Sequence, residues 1–242
     1  IWSRRQFGQK RYSISGLLHT CSTDNVMEIM GQYLTAPTQS WDALICPSNS
    51  IKSAALNIID NWQEYFKERT GSNFKCPIQL PVIPLGVDTN YFALITKDQE
   101  RKKQREILGL EEEEIAILFA GRLNFIAKAN PLALLIGIEK AAKDTKKKIR
   151  LIFSGYFNDE SNEIAFNEAI TKICNLANVT FIRHGDKKFP NGFWAGADIF
   201  CSLVDNIQES FGLTPIEAMA SGLPSPASLL AHPSRTIREF IG

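Results

Sequence analysis

Two acidic and two basic side chains lie in segments that could hold a phosphorylated ligand. Glu209 and Glu217 are separated by seven residues in the segment ESFGLTPIE, while Arg122 and Lys128 follow the apolar run IAILFA. Arginine offers a planar fork to phosphate and lysine a point charge, so Arg122 and Lys128 together can hold a diphosphate. Carboxylates would repel a phosphate, so they fit better as acceptors for sugar and ribose hydroxyls.

Each of these residues also has a purely structural interpretation. Thr214, Pro215 and Glu217 match a capping box, in which Thr214 caps a helix over 214–222 and Glu217 closes it. Arg122 and Lys128 are also explained as solvent-exposed basic residues at the end of a strand, and Glu209 as a loop carboxylate. The functional alternative is that the FGL segment at 211–213 presents backbone N–H groups to a phosphate at the helix N-terminus. The residues alone leave both interpretations open.

From residue 115 onward, apolar runs alternate with helical patterns. The predicted strands cover 115–123, 149–156, 179–185 and 198–204, and the predicted helices cover 130–143, 161–178, a short stretch near 192–197, and 214–222. Continuous apolar strands separated by helices indicate a parallel sheet covered on both faces. Ligands of such sheets bind beyond the carboxyl ends of the strands, and Arg122 and Lys128 fall there.

The first part of the chain carries weaker signals. WDALICPS at 41–48 predicts a buried strand, followed by a long helix that Ser48 or Ser50 caps and Gly71 ends. A segment rich in Pro and β-branched residues at 78–89 predicts an edge strand and a loop. The polar stretch at 91–114 is interpreted as a linker that carries one exposed helix. We therefore divide the chain into a partial domain at 1–90, this linker, a second domain at 115–224 and an atypical tail at 225–242.

Composition narrows the function further. The formal net charge of +1 gives no bulk field that would favour nucleic acid or a membrane surface as partner. The five cysteines are widely spaced without a CxxC, which favours a reducing, cytoplasmic environment. No apolar run approaches the ~18–20 residues of a membrane span. Aspartates spaced D-x-D and clustered histidines are both absent, so the sequence predicts no metal site.

Taken together, these segments resemble family 4 of the retaining glycosyltransferases, which have the GT-B fold. ESFGLTPIE resembles that family's motif of two glutamates, AGRL followed by Lys128 resembles its donor-phosphate pair, VIPLGVD at 82–88 resembles the segment before its interdomain linker, and SGLLHT at 15–20 resembles its acceptor-side histidine loop. The resemblance runs from about residue 13 to 224. It implies an α/β protein with a partial N-terminal Rossmann-like domain and most of a C-terminal, donor-binding Rossmann-like domain.

The resemblance also implies roles. Arg122 and Lys128 would neutralise the diphosphate of a nucleoside-diphosphate sugar, with Gly121 beside them, and Glu209 would contact the hydroxyls of the transferred sugar. Phe211, Gly212 and Leu213 would offer backbone amides, Glu217 would hold the nucleotide ribose, and His19 would reach the sugar. The loop at Arg183, His184 and Gly185 would lie near the base. No cofactor is implied. The expected acceptor is a sugar, a lipid-linked glycan or a small molecule, and the expected location is cytoplasmic or membrane-peripheral.

The sequence departs from this family at both ends. No Gly-rich loop opens the chain, and after residue 224 Pro226 and Pro233 interrupt the β-branched strand that the family would show. We therefore expect a chain truncated at both ends, or a shifted reading frame near Ser225. The main prediction is a metal-independent hexosyltransferase, and the alternative is a catalytically inactive fragment that only binds nucleotide or nucleotide sugar. A related GT-B enzyme, such as a phosphorylase or an epimerase, is a third possibility. A glycogen-type phosphorylase should show a lysine that binds pyridoxal phosphate, and nothing in the sequence marks one.

Overall fold

A computed structural model describes residues 1–95, 98–125, 130–183, 185, 193–203 and 210–225. These residues form two compact units. The first comprises Ile1–Leu85 together with residues 210–211, and the second comprises the described residues from 86 to 203 and from 212 to 225. Each unit has its own apolar core. No helix among the described residues is long and apolar enough to cross a membrane.

The first unit is built around two short parallel strands. Its elements are α1 (Arg4–Phe7), β1 (Ser15–Leu17), α2 (Asp24–Gln32), β2 (Ala43–Ile45) and α3 (Asn49–Thr70). β2 confirms the strand predicted within 41–48, and β1 pairs with it in parallel. The predicted edge strand at 78–89 is not continuous. It touches β2 only at two isolated bridges, because Pro81 between them has no N–H to donate.

Helix α3 confirms the longest helix predicted for this unit. The hydroxyl of Ser48 accepts a hydrogen bond from the Ile51 backbone N–H, and Gly71 ends the helix in the left-handed conformation. Ile51, Ala55 and Ile59 are its buried residues. Trp62 and Phe66 pack beside this stripe and are partly buried.

A buried ion pair fixes α1 to the start of β2. The Arg4 guanidinium donates to both oxygens of the Asp42 carboxylate, which also accepts from the backbone N–H groups of Ile14 and Gln39. Arg4 is fully buried and Asp42 is 3% exposed. The hydrogen bonds from Arg4 hold the pKa of Asp42 below its usual value. The pair therefore remains charged, and among the described residues only the Nε of the Arg4 guanidinium is buried without a hydrogen-bond acceptor.

The second unit has a four-stranded parallel sheet in the order β5-β4-β3-β6. Its elements are α4 (Thr89–Ile95), α5 (Asp98–Ile107), β3 (Ile115–Ala120), α6 (Pro131–Thr145), β4 (Ile149–Gly155), α7 (Glu160–Ile173), β5 (Asn178–Arg183), α8 (Phe193–Gly196), β6 (Ile199–Phe200) and α9 (Leu213–Ala220). Every strand and helix predicted after residue 114 is present. β6 is shorter than expected, and α7 ends before Cys174.

Both faces of this sheet are covered, as the apolar strands predict. On one face, Leu151 and Phe153 of β4 pack in a cluster with Leu135 of α6 and Phe166 of α7. On the other face, Leu118 of β3 and Ile152 of β4 belong to a cluster that includes Trp194 of α8 and Ala218 of α9. The strands are therefore buried on both sides, which is typical of parallel sheets with crossover helices.

The expectation that α5 is an exposed linker helix is wrong for one of its faces. Arg101 donates to the backbone carbonyls of Ala195 and Ala197, and Arg101 and Arg105 both contact the carboxylate of Asp198. Gln104, on the same helix, is 1% exposed. α5 therefore packs against α8 and belongs to the second unit, because its arginines find acceptors far away in the chain.

We predict that the Asp198 carboxylate holds the amino end of this sheet together. It accepts from the Ala116 backbone N–H at the start of β3 (2.7 Å) as well as from Arg101 and Arg105. Asp198→Asn should lower the free energy of unfolding by about 1–2 kcal/mol, because a half-buried charge-assisted network loses its anion. Urea unfolding measures this change.

The matched control is Asp144→Asn. Asp144 forms an exposed i,i+4 pair with Lys140 on α6, so its loss should cost less than about 0.5 kcal/mol. Equal losses from both variants would show that the Asp198 network is no stronger than a surface ion pair.

Candidate functional site

The carboxyl ends of β3, β4 and β5 lie side by side. Ala120 pairs with Ser154, and Gly155 pairs with Arg183. The segments that follow these strands therefore leave the sheet at the same edge. This edge carries Arg122 after β3 and Gly185 after β5, two of the residues predicted to lie near a bound donor.

A close approach of two glycines shapes this edge. The Gly121 N–H donates to the Ser154 carbonyl and the Leu123 N–H donates to the Tyr156 carbonyl, so β3 and β4 stay in contact beyond the last regular pair. Gly121 has a φ of +151°, and a Cβ on Gly155 would lie 1.8 Å from the Gly121 carbonyl oxygen. Only glycine fits at 155. The turn leaves Arg122 exposed between two anchored residues, and no described residue forms an ion pair with it.

Helix α9 begins earlier than predicted, and the capping box is wrong. Gly212, with φ 86° and ψ 70°, stands at the N-cap, and no side chain caps the helix. Because the helix already includes Leu213, Thr214 is helical and lacks the extended conformation of a capping residue. Pro215 is tolerated because the N–H groups of the first turn have no intrahelical acceptor.

Glu217 is consequently not occupied in closing its own helix. It is half-buried, and desolvation by burial raises the pKa of its carboxyl group. No described residue donates to its carboxylate or pairs with it. A desolvated acid without a partner in the described chain is a candidate contact for a ligand hydroxyl.

The other predicted site residues are placed as follows. Phe211 is 2% exposed, Leu213 is 37% exposed as the first residue of α9, His19 is exposed after β1, and Gly185 has a φ of +84°. Lys128, His184 and Glu209 lie outside the described residues. From the sequence we predict that Arg122, Lys128, Glu209 and Glu217 converge on one cleft. A glycine at the end of a predicted strand, in the segment SGY, is the sequence signal that could identify Gly155.

The cysteines do not form a nucleophilic or metal-binding group. All five are free thiols. Burial raises the pKa of each, for Cys21 to about 11. These thiols are therefore protonated at neutral pH and poor nucleophiles. Within the described ranges, no three His, Cys, Asp or Glu side chains are grouped closely enough to hold a metal ion.

We expect the substitution Gly155→Ala to disturb the edge that presents Arg122. The added Cβ would overlap the Gly121 carbonyl oxygen, so β3 or β4 must shift, at a cost of roughly 1–3 kcal/mol in unfolding free energy. Chemical denaturation measures it. The control is Gly137→Ala on α6, where a Cβ meets nothing within 4 Å and should stabilise by about 0.5–1 kcal/mol. Similar shifts in both variants would contradict the close approach.

A pH-dependent prediction follows from Glu217. Its carboxyl pKa is raised above 4.5 in the folded state, so the folded chain binds this proton more tightly than the unfolded chain. Below pH 4.5 the Glu217 carboxyl group is protonated in both states and destabilises the fold least. The free energy of unfolding then falls as the pH rises through the raised pKa. Glu217→Gln should therefore be more stable at pH 7, by no more than about 0.5 kcal/mol because the group is half-buried.

The gain should shrink as the pH is lowered toward 4.5, which urea unfolding at several pH values can follow. Glu168→Gln, on an exposed residue paired with Lys172, provides the comparison and should change little. A Glu217→Gln variant that is less stable at pH 7 would show that the carboxylate has a stabilising partner after all.

Comparison with known proteins gives this site a context. A family model described as "Glycosyl transferases group 1" matches residues 100–239. The D-inositol 3-phosphate glycosyltransferase of Kribbella flavida is 24% identical over 203 residues, which cover 82% of this chain and 46% of that protein. For the D-inositol 3-phosphate glycosyltransferase 2 of Catenulispora acidiphila, identity is 24% over 190 residues, covering 77% of this chain and 43% of the relative. The chain thus spans about half the length of these relatives.

Solved structures share the fold. HepE of Anabaena, crystallised with UDP and glucose, has a TM-score of 0.61 at 16% identity, over 96% of this chain and 56% of HepE. The α,α-trehalose 6-phosphate synthase of Burkholderia multivorans has a TM-score of 0.65 at 13% identity, over 96% and 55% of the two chains. These similarities confirm the predicted α/β, GT-B-like fold, with a partial first domain and most of the second.

Proposed function

The chain belongs to the group 1 glycosyl transferases, and we propose that it is part of a retaining, metal-independent hexosyltransferase that uses a nucleoside-diphosphate sugar. The observation that carries the proposal is that two charged side chains within the matched region lack an ionic partner among the described residues. Arg122 is exposed at a glycine-built strand end, and Glu217 is half-buried near the start of α9. Within the described chain neither has a charged partner, whereas the arginines and acids at the other end of the sheet are paired.

In this proposal Arg122 and Lys128 bind the donor diphosphate. When the bond between the sugar and the diphosphate breaks, the leaving oxygen takes the electron pair, and these cations stabilise its charge in place of a metal ion. The N–H groups of Phe211, Gly212 and Leu213 add donors at the N-terminus of α9, where the helix dipole favours an anion. Because these groups are fixed beforehand, they need no reorganisation during the reaction.

The remaining groups recognise the rest of the donor. Glu217 accepts from the ribose hydroxyls, Glu209 and His19 contact the transferred sugar, and the segment around Arg183, His184 and Gly185 lies near the base. The acceptor is a sugar, a lipid-linked glycan or a small molecule. We place the protein in the cytoplasm, with a membrane-peripheral position if the acceptor is a lipid-linked glycan.

A second candidate is a fragment that binds the nucleotide without transferring a sugar. It is favoured by one observation, that the chain spans only about half the length of its relatives. Both candidates require nucleotide binding by the second unit. Hydrolysis of a nucleoside-diphosphate sugar, or its transfer to an acceptor, separates them.

Binding of UDP and of uridine tests the proposal. We choose UDP because the related HepE was crystallised with it. By calorimetry, Arg122→Ala and Lys128→Ala should each weaken UDP binding by about 10- to 100-fold, the range for a charge-assisted phosphate contact. Uridine has no phosphate, so both variants should bind it as the unmutated chain does. Glu217→Gln should instead weaken UDP and uridine alike, by about threefold to tenfold.

Lys143→Ala provides the control for a lost surface charge, since Lys143 is an exposed residue of α6. Titrations in EDTA and in Mn²⁺ should agree, because the protein supplies the cations. UDP affinity that appears only with Mn²⁺, or an Arg122→Ala variant that binds UDP normally, would sink the proposal.

A further inference from the structure

A polar side chain in the first turn of α7 reaches the segment that carries Arg122. The amide oxygen of Asn162 accepts a hydrogen bond from the Phe125 backbone N–H at 3.3 Å. The two residues are 37 apart in sequence, and both belong to the second unit. Phe125 lies three residues after Arg122, so this bond holds the far end of the segment that leaves β3.

The orientation of the Asn162 amide is fixed by its other atom. Its Nδ2 donates to the Asp159 carboxylate at 2.7 Å, and hydrogen bonds from Ser161 and Asn162 lower the pKa of Asp159. The carboxylate is therefore ionised at neutral pH and can only accept, so the amide oxygen is the atom turned toward Phe125. Asp159 is itself held as the N-cap of α7, where it accepts from the Asn162 backbone N–H.

This bond continues a series along one side of the segment after β3. The N–H groups of Gly121 and Leu123 donate to backbone carbonyls at the end of β4, and Phe125 adds the bond to α7. Donors at every second residue indicate an extended segment, in which neighbouring side chains lie on opposite faces. Leu123 and Phe125 belong to the apolar cluster that α6 and α7 cover. Arg122 therefore lies on the other face, where it is exposed.

We propose that Asn162 is a positioning residue for the phosphate-binding edge: its amide oxygen holds Phe125 and thereby keeps Arg122 presented to the donor diphosphate. The inference rests on the proposed function, which gives Arg122 its ligand. Without this bond the segment loses the anchor at its far end, and Arg122 samples more orientations that binding must then restrict. Asn162 itself touches no substrate and acts only through the segment that it holds.

The experiment uses the complete chain in three variants. Asn162→Ala removes the oxygen that holds Phe125, and alanine favours the helix that it starts. A swap variant combines Asp159→Asn with Asn162→Asp. It keeps the contact, because the carboxylate at position 162 accepts from Phe125 and from the amide at position 159, and asparagine is also a good N-cap.

Ser161→Ala provides the matched control. The Ser161 hydroxyl donates to the Asp159 carboxylate in the same turn, so one hydrogen bond at the start of α7 is lost while the Asn162 oxygen stays. Two quantities are measured for every variant. They are the affinities for UDP and uridine, and the hydrogen exchange of the Leu123 and Phe125 amides without ligand.

Asn162→Ala should weaken UDP binding about two- to fivefold, within the range for one lost hydrogen bond, and leave uridine binding unchanged. The Phe125 amide should exchange faster by a similar factor. The Leu123 amide should exchange at its usual rate, because it donates to a backbone carbonyl. The swap variant and Ser161→Ala should match the unmutated chain in both measurements.

The inference is overturned if Asn162→Ala binds UDP as the unmutated chain does while Arg122→Ala binds it weakly, because the proposed function then stands without the positioning. It is also overturned if UDP and uridine weaken equally, or if the swap variant or Ser161→Ala is as weak as Asn162→Ala. Absence of UDP binding by the unmutated chain rejects the proposed function instead. Unchanged exchange of the Phe125 amide in Asn162→Ala rejects the anchor regardless of any nucleotide.

Discussion

The carboxylate of Asp198 is the constraint on which the second unit depends most. It stands before β6 and joins three elements, since it accepts from the N–H of Ala116 at the start of β3 and from Arg101 and Arg105 of α5. β6 contributes only two residues to the sheet, so its ladder alone would hold it weakly. The ion-paired cluster compensates at the amino end, and it also fixes one face of the highly charged helix α5 to the second unit.

Charge is used differently at the two ends of this sheet. At the amino end, the acids and arginines satisfy one another, as Arg150 and the buried Glu114 also do. At the carboxyl end, the contact between Gly121 and Gly155 keeps β3 and β4 together without any side chain. Within the described chain, Arg122 is thus left without an ionic partner. Unpaired charge beside a rigid backbone is what binding an anion requires, because little has to rearrange when the ligand arrives.

Most of the second unit could be predicted from sequence because its strands are long apolar runs and its helices have local signals. Asn130 before Pro131 marks the start of α6, and the apolar runs at β3 and β4 admit few alternatives. The sequence predicts the wrong start for α9 because Thr and Pro are strong local signals, whereas the left-handed conformation of Gly212 is set by its surroundings. Local pattern cannot show which of two adjacent candidates the tertiary structure selects.

The partners of charged and hydroxyl groups could not be predicted at all. Arg101 and Asp198 are 97 residues apart, and Ser48 and Ser210 are 162 apart, so no local pattern connects them. The same limit applies to the site. Residue type and position are enough to predict Arg122 and Glu217 as site residues. That neither has a charged partner in the described chain is visible only in the three-dimensional structure. Lys128, His184 and Glu209 stay predictions because they lie outside the described residues.

The two units contribute unequally to what this chain can do. The first unit relies on a small apolar cluster and on the Arg4–Asp42 pair, and a buried ion pair fixes geometry more than it stabilises, because desolvation offsets much of its attraction. The second unit has a sheet with both faces covered and carries Arg122 and Glu217. In the function that we propose, nucleotide binding would need mainly the second unit, whereas sugar transfer would also need an acceptor held in place. Nucleotide binding is therefore the step of the proposed function that single substitutions in this chain can test.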